Sequence, residues 1–314
     1  MNILIYGFGR MGLTHYAILN GLYPNLNFTI VEPNLFFNIL FKKNIKAFFL
    51  YNDSKLNNPF DLVIISTPPF LHTNIINKCI NRGDKTIFVE KPFGGHSNID
   101  FPTTNNIFVG YVLRFNPCIT WIKSNIMSDE IVSINCSYRS NTISKKPKGW
   151  RNGVYSGVLN EMGSHMIDII NYITSSNNMS VINTDIKSVI SNVDDIVSTN
   201  LITENGIKVS LYLNWVDNNI RKPYFNFELL LKNGCSYIFD QQMINYFDKD
   251  HNLLKKINIS SISPSVPFYL RGVDFTLQFI DLFTKKSICA TSDNAISVNT
   301  LMYKILNHEN IIRG

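Results

Sequence analysis

Nothing in the 314 residues pairs cysteines or gathers metal ligands. Cys79, Cys118, Cys136, Cys235 and Cys289 are odd in number and widely spaced, with no C-x-x-C pair, which excludes a disulfide framework and a zinc ribbon and fits reduced thiols. His15, His72, His96, His165, His251 and His308 form no H-x-x-x-H or H-E-x-x-H, so no metal is expected. No uninterrupted apolar run approaches the roughly 18 residues of a membrane-spanning helix. A strand beginning at residue 2 leaves no room for a secretory leader, so a cytoplasmic location and no membrane partner are expected. Charge is sparse as well, at 17% of residues with a net +6. That balance suits an anionic small ligand. The densest basic cluster, Lys145, Lys146, Lys148 and Arg151, is too short for a nucleic-acid groove, so no nucleic acid is expected. With 45% hydrophobic residues the chain is no disordered polymer, and its length supports two domains, each with a core.

What is present begins at the first residues. Ile3, Leu4, Ile5 and Tyr6 form a continuous apolar run, as expected of a central parallel strand covered on both faces. Gly7, Gly9 and Gly12 follow in G-x-G-x-x-G register. The three glycines allow a sharp turn, close backbone approach to a pyrophosphate, and tight packing of the following helix, whose N–H groups from about Arg10 onward would face phosphate. A helix over Met11 to Asn20 and a strand Phe28-Thr-Ile-Val31 ending on Glu32 complete the unit. Glu32, twenty positions past Gly12, would accept hydrogen bonds from the adenosine ribose and repel a 2′-phosphate, which favours NAD over NADP.

Strand and helix then alternate as in a parallel α/β sheet, with a helix expected over Asn34 to Lys43 and a short strand over Ala47 to Leu50. The strand Asp61 to Ser66 ends in Thr67-Pro68-Pro69-Phe70-Leu71-His72, followed by a helix Thr73 to Arg82 stopped by Gly83. His72 either touches the cofactor or caps that helix. The strand Thr86 to Val89 ends in Glu90-Lys91-Pro92, where a lysine before proline is held out of the helical region and aimed from the strand end, across a bond that is sometimes cis. Gly110-Tyr111-Val-Leu-Arg114-Phe-Asn116-Pro117 closes a further strand.

A glycine turn, T-P-P-x-x-H, E-K-P and G-Y-x-x-R-F-N-P, in that order, resemble the Gfo/Idh/MocA oxidoreductase family, named for glucose-fructose oxidoreductase and inositol dehydrogenase. The resemblance runs over nearly the whole chain. It implies a Rossmann NAD-binding domain, 1–117, and an α+β domain with a large open, mostly antiparallel sheet, 118–314, for substrate binding and oligomerisation. It also implies Lys91 as a catalytic-site residue. Phe8, Arg10 and Met11 of the turn, with Thr67, Pro68, Glu90, Lys91 and Asn116 at the same sheet edge, join the glycines and Glu32 as expected cofactor contacts. One departure is visible. Only seventeen residues separate Pro92 from Gly110, and Gly94 to Asn106 lacks helical period, so a loop or single turn is expected where relatives carry a crossover helix. The strand after it should still pair.

In the second half, a short helix is expected over Cys118 to Met127. Strands are expected over Glu130 to Arg139, Ile186 to Asn192, Asp195 to Thr203, Ile207 to Val216, Phe225 to Lys232, Ser236 to Asp240 and Lys255 to Ile259. Asn205-Gly206 and Asn233-Gly234 read as hairpin turns. A meander of this kind with one face still apolar would pair with a second copy as a homodimer or homotetramer. Helical period returns over Tyr269 to Phe283 and Asp293 to Asn307.

The stretch Gly157-Val-Leu-Asn160-Glu161-Met-Gly163-Ser-His165-Met-Ile-Asp168 places Glu161, His165 and Asp168 at i, i+4 and i+7, one helix face, with Met166, Ile169 and Ile170 opposite. A carboxylate beside an imidazole orients it and raises its proton affinity, as a general base for an alcohol requires. The bland alternative is a helix-capping pair. The family's pattern is D-x-G-x-H-x-x-D, which implies His165 as the proton-transfer residue with Lys91. Glu161 stands where aspartate is usual, moving the carboxylate by roughly 1 Å. Arg114, Tyr155 and Asn160 are candidate substrate contacts. Trp150 and Arg151 belong to a lysine-rich loop that either binds the phosphate or base of a nucleotide-linked sugar or is merely solvated. The expected activity is NAD(P)-dependent hydride transfer at a CH–OH or ketone carbon of a sugar, cyclitol or nucleotide-linked sugar. The alternative is a non-catalytic NAD- or sugar-sensing regulator.

Overall fold

The structure, a computed structural model, describes residues 1–94, 106–153, 155–259, 272–284 and 288–308, with Trp150 given by its backbone alone. The chain divides into two compact units. Among the described residues the first holds 1–94, 106–112, 272–284 and 288–295, and the second holds 113–153, 155–259 and 296–308. The segments 272–284 and 288–295 thus return to the first unit.

The first unit is built on β1 (Asn2–Tyr6), β2 (Asn27–Val31), β3 (Phe48–Leu50), β4 (Leu62–Ile65), β5 (Ile87–Val89) and β6 (Ile107–Val109). They lie in the order 3-2-1-4-5-6, all parallel, with β15 (Ala290–Thr291) antiparallel on the β6 edge. This is the doubly wound order whose reversal between β1 and β4 opens a crevice at the strands' carboxyl ends. β4 is buried at every position and β1 at all but Asn2. Helices covering both faces explain that pattern. Helices α1 (Arg10–Leu22), α2 (Leu35–Lys42) and α3 (His72–Arg82) fill the crossovers. Gly83, at φ +80°, closes α3 in the left-handed cap expected of it. The connection expected to be a loop between Gly94 and Asn106 lies largely outside the described residues, while β6 beyond it pairs with β5.

In the second unit, α4 (Pro117–Asn125) precedes β7 (Ile131–Arg139), α5 (Ser164–Thr174) and β8 (Met179–Lys187). Then come β9 (Ile196–Thr203), β10 (Lys208–Asn214), β11 (Tyr224–Leu231), β12 (Ser236–Asp240), β13 (Met243–Phe247) and β14 (Leu253–Asn258). These form one open eight-stranded sheet in the order β14-β13-β12-β11-β7-β10-β9-β8, antiparallel except where β7 runs beside β10. Helix α6 (Val273–Thr284) falls in the first unit, and α7 (Ser292–Leu306) begins in the first unit and continues in the second. Gly206 and Gly234, at φ +81° and +83°, make the two hairpin turns expected from their dipeptides.

Two expectations are corrected here. The strand expected over Ile186 to Asn192 ends at Lys187 and begins at Met179. Residues 188–195 form a loop because Asp195, fully buried, accepts hydrogen bonds from the Val189, Ile190 and Ser191 N–H groups, at 2.6, 2.6 and 2.9 Å. Among the described residues the sheet also leaves no broad apolar face open. Ile134, Val197, Leu211, Phe227 and Leu229 are buried, and the opposite face carries Asn135, Ser137, Ser198, Asn200, Ser210 and Tyr212 around a shallow depression of about 260 Å³. Helix α5 packs on β7, and Gly163 permits close approach to β10, since a Cβ there would lie 2.7 Å from Leu213 Cδ1.

Asp195 also accepts from Ser191 Oγ and from the Trp215 indole at 2.6 Å each. Asp195→Ala is therefore expected to cost about 3 kcal/mol or more, since each buried donor left unpaired costs about 1–3 kcal/mol. A lower urea midpoint and faster amide exchange at Val189, Ile190 and Ser191 would report it.

Candidate functional site

The glycine turn of the first unit is dictated by contacts that admit no side chain. Gly7 has φ +81° and a Cβ on it would press Ser66 O at 3.0 Å, while a Cβ on Gly12 would lie 2.0 Å from Gly7 O. Ser66 Oγ donates to Gly7 O at 2.8 Å, tying the turn to β4. Around Gly9, by contrast, a Cβ would meet nothing within 4 Å. The open space lies at the start of α1, where Gly9 is the N-cap without a side-chain bond, and where backbone N–H groups favour a phosphate. This geometry fits a dinucleotide pyrophosphate.

The other expected cofactor residues of this unit fall at the same strand ends. Phe8 turns its ring inward onto Tyr16, Phe41 and Phe49 and offers only backbone outward. Its N–H donates to Glu32 Oε2 at 2.7 Å, and Asn34 N–H donates to Oε1 at 2.9 Å. Glu32 is thus a fixed, nearly buried carboxylate with further lone pairs for ribose hydroxyls. Arg10 is exposed and Met11 half-buried. Thr67 Oγ1 is enclosed and without a hydrogen-bond partner among the described residues, and Pro68 precedes a 3-10 turn, Pro69–Leu71. His72 begins α3, fully buried, with Nε2 2.9 Å from Thr67 O and Nδ1 3.1 Å from Pro92 O. Burial pushes its imidazole below its ordinary range. Lys91 is half-buried at the end of β5, and its bond to Pro92 is cis. Glu90 Oε1 lies 2.7 Å from His15 Nε2. His15 was not among the residues singled out from sequence, although a polar side chain three positions past Gly12 falls on the helix face that also buries Leu19.

In the second unit, Arg114 is buried and bidentate on Asp168, with Nε and Nη2 at 2.8 and 2.6 Å, and its guanidinium lies 5.0 Å from the Tyr172 ring centroid. Asp168 therefore serves the arginine rather than the face shared with Glu161 and His165. Asn116 caps α4 by accepting from Cys118 N–H at 2.9 Å and donates to Gln241 O at 3.2 Å. Asn160 is buried and donates to Ser156 O at 2.9 Å. Tyr155 is half-buried, and Trp150 and Arg151 belong to a 3-10 turn, Gly149–Asn152. Glu161 lies in a π-helical turn, Leu159–Gly163, that leads into α5, whose first turn carries His165. Both side chains are half-buried, and Met166, Ile169 and Ile170 are buried as expected.

A second group not singled out from sequence fixes the start of this helix. Asp194 accepts from Leu159 N–H at 2.7 Å, and its own carbonyl accepts from Val158 N–H at 2.8 Å. Gly157, at φ +112°, leaves the carboxylate room, because a Cβ there would lie 1.9 Å from Asp194 Oδ1. Among the described residues no cluster of three or more His, Cys, Asp or Glu could hold a metal, and no helix is long and apolar enough to cross a membrane.

The strand order, the glycine turn and the fixed acid define a Rossmann dinucleotide-binding domain, joined in sequence to a mostly antiparallel sheet domain. The family profile described as oxidoreductase family, NAD-binding Rossmann fold, matches residues 1–98, and that of the GFO/IDH/MocA C-terminal domain matches residues 129–234. The chain belongs to the Gfo/Idh/MocA oxidoreductase family, and its Rossmann domain is of the NAD-binding type. A comparison with curated protein sequences gives no match.

Solved structures share the fold at low identity. Levoglucosan dehydrogenase in complex with NADH is similar at TM-score 0.83 and 17% identity, over 99% of this chain and 97% of that one. An oxidoreductase domain protein from Kribbella flavida is similar at TM-score 0.79 and 14% identity, over 99% and 97%. UDP-N-acetylglucosamine 3-dehydrogenase from Acidithiobacillus ferrooxidans is similar at TM-score 0.74 and 12% identity, over 97% and 96%.

Burial pushes the Asp194 carboxyl up to about 7. The folded protein then keeps a proton that the unfolded chain releases near pH 4, so this group's contribution to stability falls as pH rises from about 4 to about 7 and is level above that. Asp194→Asn should remove that component. The difference in unfolding free energy between variant and parent, measured by urea titration at successive pH values, should grow in the variant's favour up to about pH 7 and then stop changing.

Proposed function

We propose that this chain is an NAD-dependent oxidoreductase that transfers hydride between nicotinamide and a hydroxyl or ketone carbon of a sugar, cyclitol or nucleotide-linked sugar. The observation that carries the reading is the shared edge of the first unit. Lys91 stands at the end of β5, and its neighbour Glu90 is bonded to His15 of the same helix whose start forms the phosphate-binding turn. That contact would hold the lysine relative to the bound cofactor. Levoglucosan dehydrogenase and UDP-N-acetylglucosamine 3-dehydrogenase, whose folds are similar, are named for sugar substrates, which supports the substrate class.

Bound NAD supplies the hydride acceptor, or NADH the donor. The glycine turn would bind the pyrophosphate through backbone N–H groups, and Glu32 would hold the ribose. His165 would take the proton from the substrate hydroxyl at Nε2, its Nδ1 being buried, with Glu161 orienting the ring. The Lys91 ammonium stabilises the charge that develops on the substrate oxygen. Arg114, Asn116, Tyr155 and Asn160 would shape the substrate side. Lys145, Lys146 and Lys148, all exposed, with Trp150 and Arg151, would meet the phosphates of a nucleotide-linked substrate.

The hydroxyl- and amide-rich outer face of the second unit's sheet would be the assembly surface of a homodimer or homotetramer. Light scattering across a concentration series reads this directly.

The decisive experiment monitors absorbance of reduced nicotinamide with NAD and a panel of polyols, sugars and nucleotide sugars. Turnover on at least one is expected, with Lys91→Ala and His165→Ala each lowering kcat about 10²- to 10⁴-fold while NAD still binds. The double variant should lose far less than the product of the two, as groups acting on one reacting centre do. Tight NAD binding without turnover on any compound would instead identify a sensor.

A further inference from the structure

We propose that His15 and His72 are positioning residues that clamp Glu90-Lys91-Pro92 from its two sides and so set where the Lys91 ammonium stands. The proposal rests on the reading of Lys91 as a catalytic group.

The first side is a buried imidazole on a carboxylate. His15 is fully buried on α1, with Nε2 2.7 Å from Glu90 Oε1. Its ring is walled by Phe88, Phe275 and Phe279 at centroid distances of 5.6, 6.1 and 5.1 Å. Its Nδ1 is buried and has no hydrogen-bond partner among the described residues. The tautomer that satisfies both facts carries its single proton on Nε2 and presents a bare lone pair to the aromatic wall, since an N–H left unpaired there would cost more. A donor facing an ionised carboxylate makes a charge-assisted bond, stronger than one between neutral groups. Gly110 closes the carboxylate's seat from another direction. A Cβ on that glycine would come within 3.3 Å of the Glu90 carboxyl.

The second side is a buried imidazole between two carbonyls. His72 spans from Thr67 O, in the loop after β4, to Pro92 O, in the loop after β5, at 2.9 and 3.1 Å. A neutral ring has one N–H, and burial disfavours the charged ring that would have two. The ring therefore works as a spacer of fixed width, bonded to one loop and packed against the other. Neither histidine is needed for the turn at Gly7 or for Glu32 to be held. What both touch is the tripeptide that carries the lysine, from the residue before it and the residue after it. Misplacing a catalytic group by about 1 Å can cost on the order of a hundredfold in rate.

The test reads Lys91 itself. Full-length protein, with and without NAD, is treated with trace acetic anhydride, and acetylation of Lys91 is quantified by mass spectrometry against the other lysines of the same sample. His15→Phe keeps a ring in the aromatic wall and removes the proton. His72→Gln keeps a donor toward Thr67 and drops the Pro92 contact, whereas His72→Asn does the reverse. We expect His15→Phe and His72→Gln to change Lys91 labelling severalfold while other lysines stay constant. In both, kcat should fall about tenfold or more while KM and the NAD dissociation constant stay within about twofold. His72→Asn, which no longer spans to Thr67, should shift Lys91 labelling and kcat as well.

Parent-like Lys91 labelling and kcat in both of the first two variants overturn the clamp, as does a uniform change at all lysines. If His15→Phe does not fold, His15→Gln, whose amide nitrogen reaches where Nε2 stands, must label as the parent does, and a shifted rate there overturns the proposal. Labelling that responds in a protein that oxidises nothing on the panel supports the clamp and removes the oxidoreductase reading. Unmoved labelling in an active enzyme removes the clamp alone.

Discussion

The first unit depends on one close approach, that of Gly12 to the carbonyl of Gly7, which leaves no room for a methyl group. Because the helix can start that near the strand it leaves, its first N–H groups face the crevice at the strand ends rather than solvent beyond it. The same seating governs the next turn of α1. His15 is carried to the interior face of the helix at a depth where it reaches Glu90 just after β5, while Ser66 ties the turn after β1 to the end of β4. The returning helix α6 supplies Phe275 and Phe279 to the wall around His15. A late segment of chain thus completes the packing of an early one, which is a physical reason for α6 to belong to this unit.

The second unit solves a different problem, namely how to hold α5 and the turn before it by buried polar groups. Arg114 and Asp168 are both nearly inaccessible, and burial raises the Asp168 carboxyl while the guanidinium lowers it. Such a pair adds little net stability over apolar residues, yet losing one partner costs about 3–5 kcal/mol because the other charge is stranded. It therefore specifies an arrangement more than it strengthens one. Asp194 does the same at the helix start, where it holds Leu159 and Val158 and is itself placed by its neighbour Asp195, the anchor of the preceding loop. Between these two points lies the stretch that carries Glu161 and His165.

Much of this was legible in the residues. Continuous apolar runs named β1 and β4, and the glycine spacing named the turn, because each has a steric requirement that few residues meet. The dipeptides Asn205-Gly206 and Asn233-Gly234 named their hairpins for the same reason. What was not legible depended on tertiary partners. Ile186 to Asn192 has the composition of a strand, but the carboxylate of Asp195 captures its N–H groups and makes a loop. The spacing of Glu161, His165 and Asp168 suggested a single helical face. The π-helical turn at Leu159–Gly163 breaks that period, and Arg114, fifty-four residues upstream of Asp168, claims the second carboxylate. Asp194 and His15 gave only the weak signal of a polar residue where an apolar one would serve.

The acid at the end of β2 shows how the fold prepares a choice of cofactor. Both Glu32 oxygens already accept a backbone N–H, one from the glycine turn and one from the start of α2, and the Asn38 side chain holds the residue's carbonyl. A carboxylate bound in this way cannot swing aside. Ribose hydroxyls can donate to its remaining lone pairs without moving it, so little ordering is left to be done when they arrive. A 2′-phosphate would have to sit against a negative charge that has nowhere to go, and in a site this sheltered from solvent the repulsion is only weakly screened. Under the proposed function, a preference for NAD over NADP would arise from the immobility of the carboxylate as much as from its sign.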